Sequence, residues 1–334
     1  MPNQITLPKG IQTILDEAYR AAAVTSVLDS APSQIRPTQN MHEFCYPQME
    51  VGGLGDYDRA SGYTSNSGVN LVWKTVEADY DRGTKIMVDS MDNQESFDLA
   101  FGQAANTLLR DHVAPEGDAF TFAKIAALEG ITSNSDSIEN GVQFLEAILT
   151  ATTEMDEMEV PEEQRYLFTT STLLKSVKAL DTTKSREALD GFAAIRKVPR
   201  GRFYTAIDLL NGRDGDEIAG GWRPAQGGYQ KTADTDIVAG KDYYTKSGTT
   251  YTKVASPAKA SLGDYYELAG VAKPINFLIV HKPALIKFDR HVAGPTVIPA
   301  DQNPDADADI VKYRKYGVVD GYENKRAGIY MSHK

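Results

Sequence analysis

The sequence VNLVWKTVEADYDRGTKIMVDS, at residues 69–90, determines how the rest of the chain must be organised. Val69, Leu71 and Trp73 fall on one face of an extended chain, and Ile86 and Val88 continue the alternation towards the end of the stretch. Side chains two positions apart share one face of a β-strand, so this spacing is typical of extended structure. The pattern therefore predicts strand over most of this stretch.

A second strand signal lies at Phe44–Val51, just before it. Between the two, residues 49–68 read MEVGGLGDYDRASGYTSNSG, which is rich in Gly, Asp and Ser and predicts a loop. We therefore expect an extended two-stranded ribbon. A lone hairpin is marginally stable in water, and its unpaired edges invite another chain. Something outside the ribbon must cover it.

The composition excludes several classes of protein. The chain has 334 residues, of which 41% are hydrophobic and 24% charged, as in ordinary globular proteins. Its formal net charge of -11 argues against a nucleic-acid binder, since neutralising a phosphate backbone needs clustered Lys and Arg. Cys45 is the only cysteine, so no disulfide can form within the chain. The start, MPNQITLPKG, lacks a signal-peptide pattern, and no apolar run approaches membrane-span length. We expect a soluble cytoplasmic protein that does not contact membranes.

Helical periodicity appears in two places before residue 130. One helix is predicted from Ile11 to Val27, followed by a polar, Pro-containing segment that reads as an extended arm. The longest signal runs from Phe97 to Leu128, where Pro115 and Gly117 should kink or loosen the helix.

Later segments alternate between the two periodicities. A helix is predicted around residues 138–149, and RYLFTT (165–170), FAAIRKV (192–198) and RFYTAI (202–207) are strand candidates. Ser171 is the expected cap of the helix that follows the first of these. INFLIVH (275–281) is a continuous apolar run, typical of a buried central strand. PALIKFDR (283–290) is predicted to be a helix with Pro at its start.

No catalytic constellation emerges from the sequence. It contains neither a G-x-S-x-G elbow nor a phosphate-binding glycine motif. Cys45 and five scattered histidines are weak evidence for a cysteine nucleophile, and no histidine spacing fits a metal site. We therefore expect no enzymatic activity, no cofactor and no metal.

Several strings resemble stretches of the major capsid proteins of tailed phages that infect Gram-positive bacteria. They are GLGDYDRASGY, YDRGTKIMVDSMDNQES, LLRDHVAPEGDAFTFAKIA, VPRGRFYTAI, INFLIVHKPALIKFDRH and the C-terminal NPDADADIVKYRKYGVVDGYENKRAGIYMSHK. Their order and spacing carry the resemblance, which covers nearly the whole chain outside residues 224–270.

The resemblance implies an α+β protein with the Hong Kong 97-type shell fold. The implied parts are an N-terminal arm (1–40), an extended loop (41–92), a peripheral domain with a spine helix (93–134 and 301–334), an axial domain (135–225 and 269–300) and an inserted β module (226–268). The arm and loop would reach onto neighbouring subunits, and the axial domain would face the centres of hexamers and pentamers.

The resemblance also implies partners. The chain would assemble with copies of itself into a phage head, in the host cytoplasm, around double-stranded DNA that it contacts without sequence specificity. A separate scaffolding protein, a portal and a decoration protein are further expected partners. Five residues are candidates for contacts between subunits: Trp73, Arg82, Arg110, Glu116 and Asp118. Pairing of the charged ones within one subunit is the alternative.

The inserted module contains an unusual number of tyrosines. KDYYTKSGTTYTKV (241–254) predicts a hairpin that turns at Ser247–Gly248, and GDYYEL should return as another strand. Two interpretations stay open: a surface that binds a decoration protein or a host glycan, and a small core of the module's own. The tyrosines concerned are Tyr243, Tyr244, Tyr251, Tyr265 and Tyr266.

Two other functions remain open from sequence. An encapsulin-like nanocompartment would have the same architecture but would load protein cargo instead of DNA. A Tyr-rich carbohydrate-binding protein would work as a monomer or small oligomer.

Overall fold

The computed structural model describes residues 23–31, 36–37, 43–60, 62–63, 68–91, 107–180, 182–213, 217–218, 220–231, 243–247, 250–254 and 265–334. The predicted helix at 11–27 lies mostly outside these residues, as does the first part of the helix predicted at 97–128. The α-helices are α1 (Ala114–Ala126), α2 (Gly141–Glu157), α3 (Ser171–Lys178) and α4 (Thr183–Asp190). The strands are β1 (Arg36–Pro37), β2 (Glu43–Val51), β3 (Val69–Glu77), β4 (Tyr80–Asp89), β5 (Thr132–Ser135), β6 (Arg165–Thr170), β7 (Ala194–Val198), β8 (Ile207–Leu209), β9 (Trp222–Pro224), β10 (Gln226–Lys231), β11 (Tyr243–Ser247), β12 (Thr250–Val254), β13 (Tyr265–Val271), β14 (Ile275–His281), β15 (Leu285–Ile298), β16 (Ala308–Gly321) and β17 (Ile329–His333). The α+β class is confirmed.

A five-stranded sheet in the order β5-β17-β14-β6-β7 forms the centre of the fold. Its middle strand is INFLIVH, as predicted, and residues 275–280 are all buried. A strand covered on both faces has no solvent side to alternate towards, which explains the unbroken apolar run. The candidate RYLFTT is strand β6 over its whole length, and FAAIRKV is strand from Ala194 onwards. RFYTAI forms only one isolated bridge, at Tyr204, before β8 begins at Ile207.

The helices α2, α3 and α4 pack together beside one apolar cluster of this sheet. Asn140, Thr170 and Thr182 cap their N-termini by accepting from backbone N–H groups, so the predicted cap Ser171 is wrong by one residue. Phe144 and Ile148 fill the apolar cluster, whereas Val142 and Leu149 are exposed. A second cluster contains Phe120, Phe122 and Ile125 of α1.

The segment predicted as the helix PALIKFDR is a strand. Only Lys282–Ala284 form a short 3-10 turn, and Leu285 begins β15, which pairs with β16 and through it with β4. Leu285, Ile286 and Lys287 are all buried, so both faces of the strand are covered. A short apolar run with both faces covered has no periodicity that separates helix from strand.

Only the first part of the strand signal at 69–90 pairs with the strand predicted at 44–51. β2 pairs with β3 over nine residue pairs, from Glu43↔Glu77 to Val51↔Val69. The chain then leaves the ribbon at Ala78–Asp79, and β4 joins β16 instead. Tyr80 is buried at the start of β4, and this anchor separates the two strands.

The long helix is irregular just before Pro115. Leu108–Val113 form a π-helical segment that continues directly into α1. Proline has no N–H, and its ring clashes with the carbonyl four residues earlier, here that of Asp111. The wider π-helical turn accommodates the proline ring and the missing hydrogen bond. The irregularity predicted at Pro115 and Gly117 is therefore found one turn earlier, at Leu108–Val113.

The region 226–271 forms a separate four-stranded sheet in the order β10-β13-β11-β12. The predicted hairpin is confirmed by the antiparallel pairing of β11 with β12, in which Ser247, predicted to lie in the turn, is the last residue of β11 and pairs with Thr250. The predicted returning strand is confirmed as β13.

Gly141 provides a test of the packing between α2 and α3. A Cβ placed on Gly141 would lie 2.4 Å from the carbonyl oxygen of Ser176, which is backbone and cannot rotate away. We predict that Gly141→Ala lowers the free energy of unfolding by about 1–3 kcal/mol, because the two helices must separate. Chemical denaturation monitored by circular dichroism measures this.

Gly191→Ala is the matched control. A Cβ at Gly191 meets nothing within 4 Å, and its φ is -70°. This variant should be neutral or stabilising by about 0.4–1 kcal/mol, because alanine restricts the unfolded chain. Equal destabilisation by both substitutions would contradict the proposed helix contact.

Candidate assembly surfaces

The outer part of the ribbon exposes many large apolar side chains. Trp73 is 45% exposed, and the Arg36 guanidinium lies over its ring, 5.3 Å from the ring centroid. Exposed apolar side chains on the ribbon and its connecting loop are Met49, Val51, Leu54, Tyr57, Tyr63, Val69, Leu71, Val72 and Trp73. Apolar groups gathered on one surface mark interaction sites in soluble proteins.

The inner end of the ribbon is buried against β15 and β16. Phe44 stacks on Tyr316 with ring centroids 5.7 Å apart and meets Phe288 edge-on at 5.4 Å. Tyr46 contacts the Tyr322 ring and donates a hydrogen bond to Asp320 Oδ2 at 3.2 Å. Burial raises the pKa of the Tyr46 hydroxyl, and the Asp320 carboxylate raises it further. The ribbon is thus fixed at one end and uncovered at the other.

Arg82 and Glu116 pair with each other within the chain, which is the alternative left open for these charged residues; a contact of either with a neighbouring subunit stays a prediction. Arg82 Nε donates to Glu116 Oε1 at 2.8 Å, and Tyr80 Oη donates to the same oxygen at 3.1 Å. The Arg82 guanidinium also donates to the carbonyls of Leu210 and Gly221, at 2.7 and 3.0 Å. One arginine therefore links β4, α1 and the loop before β9.

Asp118 also acts within the subunit. It is fully buried in α1 and accepts hydrogen bonds from the N–H groups of Val24 and Thr25, each at 3.0 Å. It further accepts from Thr25 Oγ1 at 2.8 Å and from Arg202 Nη1 at 3.1 Å. Asp118 thus fixes the N-terminal segment to the body. Carboxylates inside an apolar helix stripe signal such internal partners, and that signal was present in the sequence.

Arg110 and Trp73 remain candidates for contacts between subunits. Arg110 is exposed on the π-helical segment. No described contact assigns it a role, so its part in assembly stays a prediction.

A buried charge cluster at β15 and β16 was not predicted. Asp289 Oδ2 lies 2.9 Å from Lys315 Nζ and 3.3 Å from Lys287 Nζ, and both lysine side chains are buried. Lys287 also pairs with Asp29 of the N-terminal segment. Burial alone would raise the pKa of Asp289, but the two ammonium groups outweigh it and hold the pKa well below its usual value.

The tyrosines of the inserted module contact one another. The rings of Tyr229 and Tyr251 stack nearly parallel at 3.8 Å, with Tyr244 and Tyr266 edge-on beside them. Tyr243 is fully buried on the other face of the sheet, where it meets Tyr265 at 6.4 Å. These ring contacts favour a small aromatic core, and binding of a partner here stays a prediction.

The described residues include neither a metal-binding cluster nor a membrane-spanning helix. Within that part of the chain, no three His, Cys, Asp or Glu side chains come together in a way that could hold a metal ion. None of its helices is both long and apolar enough to cross a membrane.

The Arg82–Glu116 pair gives a testable stability effect. We predict that Arg82→Met lowers the free energy of unfolding by about 3 kcal/mol, because Glu116 is left as a buried carboxylate without its cation. Adding Glu116→Gln should recover part of this loss. Urea denaturation of the two single variants and the double variant measures the coupling.

Arg110→Met is the control for this cycle. It removes an exposed arginine next to α1, and its effect should stay within about 0.5 kcal/mol. Strict additivity between Arg82→Met and Glu116→Gln would show that the two groups do not interact.

Asp289 predicts a specific pH dependence. Its folded pKa is lowered, so its contribution is complete above the unfolded pKa of about 3.9 and is lost as pH falls through the folded value. The stability difference between the wild type and Asp289→Asn should thus be constant from about pH 5 to 7 and shrink below about pH 4.

Asp208→Asn serves as the control, because Asp208 forms an exposed pair with Arg223 at 3.5 Å. Such pairs contribute little, so its effect should be under about 1 kcal/mol. A difference for Asp289→Asn that grows on acidification would refute the assignment. Urea unfolding curves at each pH provide the data.

No family model matches the sequence, and no curated protein matches it. Three solved structures illustrate what the chain is similar to. The capsid structure of Staphylococcus phage Andhra is 11% identical, covers 87% of this chain and 80% of that chain, and has a TM-score of 0.47. A structure from Gordonia phage Cozz is 12% identical, covers 93% and 86%, and has a TM-score of 0.48. A virus-like particle from Pyrococcus furiosus is 10% identical, covers 98% and 100%, and has a TM-score of 0.47.

Proposed function

We propose that this chain is the subunit of a closed protein shell, the major capsid protein of a tailed-phage head with the Hong Kong 97-type fold. The observation that carries the proposal is the ribbon, which is fixed at its base and exposes large apolar side chains along its outer part. The resemblance of the sequence to tailed-phage capsid proteins supports it independently.

The ribbon needs a partner for a physical reason. Burying one large apolar side chain contributes about 1.5–3 kcal/mol, so the nine exposed on this ribbon leave a substantial driving force unused in the monomer. A neighbouring copy that covers them removes this exposure and also covers the ribbon edge. In the proposed shell each copy offers its ribbon to one neighbour and receives a ribbon from another, a head-to-tail contact that closes into a ring when the rotation between copies allows it.

The proposed roles of the segments follow the resemblance. The arm (1–40) and the ribbon reach onto neighbours, the peripheral domain (93–134 and 301–334) forms the outer part of each ring, and the axial domain (135–225 and 269–300) lines the ring centre. The inserted module (226–268) projects from the axial domain, where a decoration protein or a host glycan is a proposed ligand.

The proposed partners include double-stranded DNA, a separate scaffolding protein and a portal. A net charge of -11 suits a wall that encloses DNA without holding it, because fixed cationic patches would bind the phosphate backbone. The chain acts as a structural protein with no catalytic step, and its site of assembly is the host cytoplasm.

Substitutions at the exposed end of the ribbon should impair assembly without impairing folding. We expect Leu71→Ser with Trp73→Ser to raise the protein concentration needed for shell assembly by more than about tenfold, because one buried apolar anchor is worth that much binding energy. Since these side chains are 54% and 45% exposed, the free energy of unfolding should change by less than about 1 kcal/mol. Sedimentation velocity and negative-stain microscopy measure assembly.

Val142→Ser with Leu149→Ser is the matched control, because these α2 side chains are 50% and 43% exposed. This variant should assemble like the wild type. Normal assembly of the ribbon variant would refute the proposed seam. Nuclease-resistant DNA in particles from infected cells supports a phage head, whereas particles filled with cargo protein support an encapsulin-like compartment.

A further inference from the structure

The connection between α2 and β6 carries a dense acidic patch. Residues 154–163 contain six carboxylates and no basic residue. Five of the six side chains are exposed, and we name them the acidic turn: Asp156, Glu157, Glu159, Glu162 and Glu163. Carboxylates this close together repel one another, so the turn must be held in place by other interactions.

Arg165 holds the acidic turn from beneath. It is 2% exposed, and its guanidinium donates to the carbonyls of Val160 and Pro161, the latter at 3.0 Å. It also pairs with Asp156 at 2.7 Å. Glu159 and Gln164 adopt left-handed backbone conformations, with φ of 56° and 63°. The positive charge of Arg165 is therefore paired within the turn, and the other four carboxylates of the acidic turn are exposed.

An opposite patch lies at the edge of the same sheet. β7 is the last strand of the sheet and pairs with β6 alone among the described strands. Residues 191–203 contain four basic residues and no acidic one. Three of these, Arg196, Lys197 and Arg200, are exposed, and we name them the basic edge. Charged side chains on an edge strand prevent unspecific pairing of strands, but they also select a partner of opposite charge.

The two patches sit at opposite ends of the strands. The acidic turn precedes the first residue of β6, whereas Lys197 is level with Thr169 near its end and Arg200 lies beyond. At about 3.3 Å per residue, the patches are separated by roughly 20 Å along the sheet. They therefore do not neutralise each other within one molecule. A head-to-tail contact requires two different surfaces on each copy that are complementary to one another.

We propose that the acidic turn of one copy docks against the basic edge of the next copy around a ring. This inference rests on the proposed shell function and specifies one contact within it. The chain has 46 acidic and 35 basic residues, so an exposed basic strand edge stands out against a mostly acidic surface. Charge complementarity sets the order and orientation of neighbours, because wrong pairings place like charges together.

Charge reversal of each patch tests the proposal. One variant carries Arg196→Glu and Lys197→Glu, and a second carries Glu162→Lys and Glu163→Lys. All four positions are exposed, so both variants should fold, with circular dichroism and unfolding curves like the wild type. Each variant alone should need at least about tenfold more protein to form rings or shells, since it places two reversed charges against a patch of the same sign at every contact.

Mixing the two variants in equal amounts should restore association. Every turn then finds an edge of opposite charge if the variants alternate, and alternation closes a ring of six but not one of five. A chain with all four reversals should restore both ring sizes. Lys184→Glu with Arg186→Glu, exposed on α4, changes the net charge by the same amount as the basic-edge variant and should assemble normally.

The outcomes separate this contact from the shell itself. Wild-type shells with unimpaired single variants, or no rescue on mixing, would overturn the contact and leave the shell proposal standing. Salt-sensitive wild-type rings that both variants abolish, without any closed particles, would support the contact and refute the shell. A wild type that stays monomeric at about 100 µM refutes both, because contacts of this kind reach micromolar affinity.

Discussion

The burial of the ribbon base against β15 and β16 is the constraint on which the other features depend. Two strands alone are marginally stable in water. The contacts of Phe44 and Tyr46 with Tyr316 and Tyr322 fix the ribbon at one end. They therefore allow the outer part to stay ordered as strand while its apolar side chains remain uncovered. Without this anchor, the same side chains would collapse onto the body or aggregate.

Three charged groups, one fully buried and two partly buried, join segments that are far apart in the sequence. Arg82 links β4 to α1 and to the loop before β9, and Asp118 links α1 to residues 24 and 25. Asp289 neutralises two lysines between β15 and β16. Buried ion pairs contribute little net stability compared with apolar packing, but breaking one is costly. Their effect here is to fix one relative arrangement of the segments. A subunit that must present several surfaces at set angles needs such fixed geometry.

The sequence predicts the elements whose environment is uniform and misses those that depend on distant partners. INFLIVH is buried on both faces, and the hairpin at 243–254 has a clear alternation, so both were predicted. The residue types in PALIKFDR suit a helix as well as a strand, and only the pairing of this segment with β16 decides for the strand. The ribbon ends at Glu77 because Tyr80 is buried elsewhere, which no local pattern reveals. Glu116 and Asp118 stand in a largely apolar stretch, but their partners could not be identified from the sequence because these lie 34 and 84 residues away.

The apolar ribbon and the two charged patches would make different contributions to assembly, the ribbon to affinity and the patches to orientation. Apolar burial is strong but non-directional, so a ribbon that met any apolar surface would bind it and trap wrong contacts. Charge pairs add little affinity after desolvation, yet they penalise wrong orientations by several kcal/mol and act before contact, over about 8–10 Å at physiological salt. In the proposed shell, the acidic turn and basic edge would align two copies first. The ribbon would then cover its neighbour only in the aligned pair. The charge pairs would thus select the correct orientation before the apolar contact supplies most of the binding free energy.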